Sequence, residues 1–223
     1  MHLERRSKIA GAAIALLALT GLGLRYGLFL SQAWDSGLST WQATGNFYSY
    51  FTVLANVLVV LAFTAPGSFF RNAQARASVT LYLALVGLVY ELMLRGIWHP
   101  EGAEFFASLI LHDAVPLAVL AHWLLLREKG ALRWTHPFGW LWFPIAYLAY
   151  AVLRGEWTGW WLYPFIDASA LGHLRAALNA AALIALFLLL GMAMVAWDRR
   201  GGGRPAARAE VGSDEDELEF SGA

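Results

Sequence analysis

Apolar stretches separated by short polar connections set the pattern of the chain. Six of them are long enough, at about 1.5 Å per helical residue, to cross the roughly 30 Å hydrocarbon layer of a bilayer. They lie at about 9–30, 47–66, 77–98, 103–126, 138–153 and 174–197. The pattern predicts an all-α polytopic bundle of six transmembrane helices over residues 1–198. The fifth stretch is the shortest and contains Pro144, which a membrane helix tolerates when its neighbours satisfy the freed backbone groups. Gly23 and Gly27 form a small-xxx-small pair, the spacing that lets membrane helices pack closely.

The charges set the direction of crossing. Arg5, Arg6 and Lys8 precede the first stretch, Arg71 and Arg76 follow the second, and Arg127, Lys129 and Arg133 follow the fourth. Arg199, Arg200, Arg204 and Arg208 follow the last, so twelve of the sixteen basic residues fall on one side of a six-span chain. By the positive-inside rule both termini are expected in the cytoplasm. The opposite connections, 31–46, 99–102 and 154–173, hold only Arg154, while Arg25, Arg95 and Arg175 lie within spans near that outer face. A cleaved signal peptide is a poor account of the first stretch. The run is long, and the remaining basic loops would then require five spans.

Composition narrows the function classes. Hydrophobic residues make up 59% of the 223 and charged residues 14%, proportions of a chain that lives in lipid. Eleven Trp, thirteen Phe and eight Tyr suit aromatic belts at two interfaces. There is no Cys, hence no disulfide, thiol nucleophile or thiolate-held metal. His112 and Asp113 are adjacent, and neighbouring helical positions point apart, so no metal set is expected and no cofactor motif is present. No surface suits nucleic acid. Residues 199–223, with Asp214, Glu215, Asp216, Glu217 and Glu219, read as a disordered acidic cytoplasmic tail.

Polar groups within the apolar stretches are costly and each needs a reason. With the orientation above, Thr52 enters about a turn below the outer face and Asn56 one turn deeper on the same helix face. Glu91 and Arg95 occupy the last two turns of the third span. His112 and Asp113 lie roughly 14–15 Å down the fourth. Arg175 and Asn179 begin the sixth, preceded by a loop with Trp160, Trp161, Tyr163, Pro164 and Asp167. The inner halves are nearly all apolar, His122 excepted. Four helices and a loop therefore offer polar groups to one outer-leaflet cluster. Its members also have structural readings: Glu91 and Arg95 neutralise one another at i, i+4, Asn56 and Asn179 bond between helices, Thr52 bonds its own backbone, and Tyr163 belongs to an aromatic belt. Three functions remain open: an intramembrane hydrolase, a non-catalytic lipid-binding or partner-regulating bundle, and a small-solute or proton-linked transporter using Glu91, Arg95 and His112. The discontinuous helix pairs and inverted repeat of many transporters are missing from the pattern.

Three segments carry a resemblance. Asn46-Phe47-Tyr48-Ser49-Tyr50-Phe51-Thr52 followed by Asn56, then Leu111-His112-Asp113-Ala114-Val115-Pro116, then Trp161-Leu162-Tyr163-Pro164-Phe165 occur in order on successive spans. Together they resemble the androgen-induced and androgen-dependent tissue-factor-pathway-regulating protein family and its bacterial relatives. The animal members are multispan threonine hydrolases of fatty acid esters of hydroxy fatty acids. The resemblance implies a bacterial inner-membrane protein with Thr52 as nucleophile and His112 as base. The chemistry is sound, because a hydroxyl needs a neighbouring base to become nucleophilic. A lipid ester would enter from the outer leaflet, with Asn56, Asn179 or Tyr163 donating to the oxyanion and Asp113 or Glu91 orienting His112.

Overall fold

A computed structural model describes residues 2–65, 72–126 and 129–201, all helical or connecting, with no strand among them. Arg71, Arg127, Arg204, Arg208 and the acidic run lie outside the described residues. Helix α1 (His2–Asp35) leads through a turn to α2 (Thr40–Phe47), opened by a capping box in which Ser39 and Gln42 exchange hydrogen bonds. Then come α3 (Phe51–Thr64) and α4 (Ala73–Val89), which ends in a π-helical turn at Tyr90–Leu94. Helix α5 (Gly102–Leu109) passes through a second π turn at Ile110–Ala114 into α6 (Val115–Leu126). Helices α7 (His136–Trp140) and α8 (Trp142–Thr158) follow one another almost directly, and short α9 (Ala168–Leu171) precedes α10 (His173–Gly201).

Among the described residues, four segments are long and apolar enough to cross a membrane: Glu4–Asp35, Ala73–Leu94, Gly102–Leu126 and His173–Gly201. The bent pair α2–α3, with 79° between its halves, adds a fifth when its two helices are taken as one broken span. The exterior carries many large apolar side chains, with Leu16, Leu117, Leu174 and Leu189 each more than 60% exposed, as suits a lipid-facing surface. Inside, small residues bring the helices together: α1 packs on α3, α5 and α6, and α4 on α3 and α6. Ala18, Ala55, Val59, Leu81 and Val115 are wholly enclosed between them. The glycines that permit close approach are not Gly23 and Gly27, whose added Cβ atoms would meet nothing. They include Gly21 against Ile110 and Leu111, and Gly191 against Pro137 and Leu81.

The second apolar stretch is interrupted, and the reason lies in distant partners. Tyr50 is extended (φ −85°, ψ 132°), which ends the α2 helical path and leaves backbone groups unsatisfied at membrane depth. Tyr147 of α8 donates its hydroxyl proton to the Ser49 carbonyl (2.9 Å), and the Phe51 N–H donates to the Tyr163 hydroxyl oxygen (3.0 Å). Arg154 of α8 donates to the Asn46 carboxamide oxygen (2.7 Å) and the Ser49 hydroxyl (3.1 Å). At the other end of the bundle, buried Asp198 accepts the N–H groups of Gly130 and Leu132 (2.9 and 2.8 Å), tying α10 to the connection before α7.

Candidate functional site

The break before α3 sets Thr52 apart from most other threonines. Thr20, Thr44, Thr64, Thr80 and Thr158 each donate their hydroxyl to the carbonyl four residues back. Thr52 sits in the first turn of α3, where four residues back is Tyr48, beyond the bend. That bond is not made, and Thr52 instead lines a common space with Tyr163. The Tyr163 oxygen receives the N–H of Phe51, at the positive end of α3. Burial pushes the Tyr163 phenol above its ordinary range, while the Tyr147 hydroxyl and this amide pull against it, so it remains a neutral donor at ordinary pH.

His112 is positioned by the second π turn. Pro116 has no N–H for the carbonyl four residues back, so the His112 carbonyl turns outward toward Gly87, where a Cβ would come within 3.1 Å of it. The imidazole stacks on Tyr90 at 4.2 Å between centroids, 18° from parallel, with Trp98 edge-on at 6.4 Å. Its Nδ1 lies 3.1 Å from the Ser108 carbonyl and 3.2 Å from the Ser108 hydroxyl. A carbonyl can only accept, so Nδ1 carries the proton and Nε2 keeps its lone pair. The Ser108 hydroxyl in turn donates to Tyr90 (3.0 Å). Nε2 has no protein partner among the described residues.

Both side chains open onto the same two chambers. One, of about 100 Å³, is walled almost wholly by apolar atoms from α3, α4, α8, α10 and the loop before α9, including Phe51, Leu85, Leu148, Leu183 and Phe187. The other, of about 340 Å³, lies toward α1 and α5 and is lined by Arg25, Phe47, Tyr50, Trp98 and Ser108 among others. Thr52, Tyr90, Leu94, His112 and Tyr163 belong to both walls and form the partition. No direct hydrogen bond joins Thr52 to His112. A small cavity of about 10 Å³ near His122, toward the Ser7 end of α1, shares no lining residue with either chamber. His122 is itself held by the Ser7 hydroxyl (3.1 Å).

The other expected members lie elsewhere. Asp113 and Glu91 do not orient His112; both are ion-paired to Arg95 on the rim, and the orienting group is Ser108. Asn56 donates to the Thr52 and Leu111 carbonyls (2.8 and 3.4 Å), bonding α3 to the second π turn, and its own carbonyl oxygen is buried without a partner. Asn179 donates to the Phe165 carbonyl (2.9 Å) and so fixes the loop that carries Tyr163. Asp167 caps α9 through Ser169 and Ala170, and those bonds hold its carboxyl below the ordinary range, the Ser169 hydroxyl foremost. None of these three residues lines a chamber. Ser108, Tyr90 and Arg25 are the site residues that went unassigned. Ser108 carried a signal, since it stands one helical turn before His112, where a side chain can reach back to the backbone. Among the described residues no cluster of His, Asp and Glu is arranged to hold a metal. Comparisons of the chain with protein-family models, with curated proteins and with solved structures give no match.

Proposed function

We propose that this protein is a six-span integral protein of a bacterial inner membrane, both termini cytoplasmic, that hydrolyses lipid esters with Thr52 as nucleophile and His112 as base. The observation that carries the reading is the partition between the two chambers. Thr52 has a hydroxyl released from its own helix, His112 has a free Nε2, and both line the same space beside the Tyr163 hydroxyl. The sequence resemblance to the threonine hydrolases supports it independently. Asn56 and Asn179 are otherwise engaged, which leaves Tyr163 as the donor to the oxyanion.

In this mechanism the ester carbonyl settles at the partition and the Thr52 oxygen attacks it while His112 Nε2 takes the hydroxyl proton. The tetrahedral oxyanion receives the Tyr163 O–H, whose oxygen is polarised by the Phe51 amide. As the carbon–oxygen bond to the alcohol breaks, His112 returns its proton to the leaving alkoxide. Water, deprotonated by His112, then attacks the acyl-threonine and releases the fatty acid and the free Thr52 hydroxyl. The substrate comes from the membrane lipids, its acyl chain lying between α8 and α10.

A transport path would have to continue to the inner face, and neither chamber joins the cavity near His122. Purified protein treated with an acylating hydrolase probe tests the mechanism. Wild type is expected to label, and Thr52→Ala and His112→Ala to lose labelling and ester turnover by about 10³-fold or more. Equal labelling of all three would remove Thr52 as nucleophile and leave a lipid-binding bundle.

A further inference from the structure

Two successive carbonyls of the second π turn have no helical amide to receive. Pro116 offers none to His112, and the Val115 N–H turns back to the Ile110 carbonyl, so the Leu111 carbonyl is left over as well. An unfilled carbonyl at membrane depth is costly. A side chain from another helix fills this one: Asn56 of α3 donates from Nδ2 to the Leu111 oxygen at 3.4 Å. The same nitrogen donates its other proton to the Thr52 carbonyl at 2.8 Å. One carboxamide nitrogen therefore ties the residue that carries the nucleophile to the residue beside the base, where Thr52 and His112 make no direct bond.

The rest of the Asn56 side chain has no polar use. The residue is wholly enclosed, and its Oδ1 has no hydrogen-bond partner. Burying an unpaired carboxamide oxygen works against stability, and a leucine has nearly the same shape without that oxygen. What Asn56 contributes thus sits on Nδ2 and in the two carbonyls it holds together. Resting on the hydrolase reading, we infer that Asn56 is a positioning residue that sets the separation of the Thr52 hydroxyl and His112 Nε2. It lines neither chamber and touches none of the reacting atoms.

Two substitutions test this. Asn56→Leu keeps the shape and removes both donors. Asn56→Asp keeps it too, and a neutral carboxyl in so apolar a place has one O–H, enough for one carbonyl and not for two. In lipid nanodiscs both are expected to lower kcat for a lipid ester about 10²-fold per folded molecule, with KM within about twofold of wild type. The separation is also read without catalysis. The chain has no cysteine, so Thr52→Cys combined with His112→Cys gives two thiols alone, and bis-methanethiosulfonate linkers of graded length measure their spacing. With Asn56 present, one length is expected to cross-link about 10-fold faster than the others; with Asn56→Leu or Asn56→Asp the lengths should come within about twofold of one another. A mere staple of the fold predicts less folded protein, with kcat per folded molecule and the preferred length unchanged. That result would overturn the assignment, as would loss of folded protein in both variants or full activity of Asn56→Asp. A spread of lengths in the variants together with an inactive wild type would uphold Asn56 as the spacer and count instead against hydrolysis by Thr52 and His112.

Discussion

At the scale of single residues, the chemistry turns on which hydroxyls and ring nitrogens are already engaged. A membrane threonine usually closes on the carbonyl a turn behind it, and five in this chain do so. Thr52 escapes because α3 begins only one residue before it. His112 gains a defined tautomer because Ser108 presents both a carbonyl and a hydroxyl to Nδ1. Ser108→Ala keeps the carbonyl, and with it the tautomer, but strands the Tyr90 hydroxyl in a buried site. Such a loss costs about 1–3 kcal/mol. We expect lower thermal stability together with ester turnover reduced by roughly 10-fold, since a loosened Tyr90 no longer fixes the imidazole plane. Unchanged turnover would show that stacking alone positions the ring. That Thr52 and His112 converge on one place was legible in the sequence, and both line the same two chambers. The roles of Asp113 and Glu91 were not: a π turn changes which way adjacent side chains project, and nothing in Ile110–Ala114 announces the extra residue.

At the scale of elements, the apolar stretches found the helices while missing their interruptions. The pattern at 47–66 reads as one span, yet the bend at Tyr50 is held by Tyr147, Arg154 and Tyr163, roughly a hundred residues further along the chain. No local signal could reveal partners so remote. The contact between α4 and the second π turn is equally hidden. Gly87 faces the His112 carbonyl, and a Cβ there would sit 3.1 Å from that oxygen and 3.3 Å from the Pro116 Cβ. Gly87→Ala is therefore expected to force the helices apart at about 1–3 kcal/mol and to displace His112. Gly23→Ala is the control, because its Cβ meets nothing and alanine favours the helix by about 0.5–1 kcal/mol. Thermal unfolding and turnover should fall together for the first and be unaffected or improved for the second. Equal behaviour of the two would mean that the close approach at Gly87 does not hold the site.

At the scale of the whole molecule, the charge pattern and the helices meet at α8. Residues 136–158 of α7 and α8 would span roughly 34 Å if they ran straight, enough to cross. With that crossing the twelve basic residues stay on one face; without it, the sixth stretch runs the other way and Arg199 and Arg200 leave that face. The chain has no cysteine, so single substitutions report cleanly on sidedness. Ser36, Thr135 and Ser169 are exposed, in the connections after α1, before α7 and within α9. In intact cells, Ser36→Cys and Ser169→Cys should react with a membrane-impermeant maleimide, while Thr135→Cys should react only after the membrane is opened. Labelling of Thr135→Cys and Ser169→Cys from the same side would remove the crossing of α8. It would also break the site as proposed. Tyr147 and Leu148 of α8 wall the apolar chamber, and Tyr163 reaches the Phe51 N–H from the loop that follows α8. That loop stands at the N-terminal end of α3, so the site as proposed needs α8 to carry the chain back to that end.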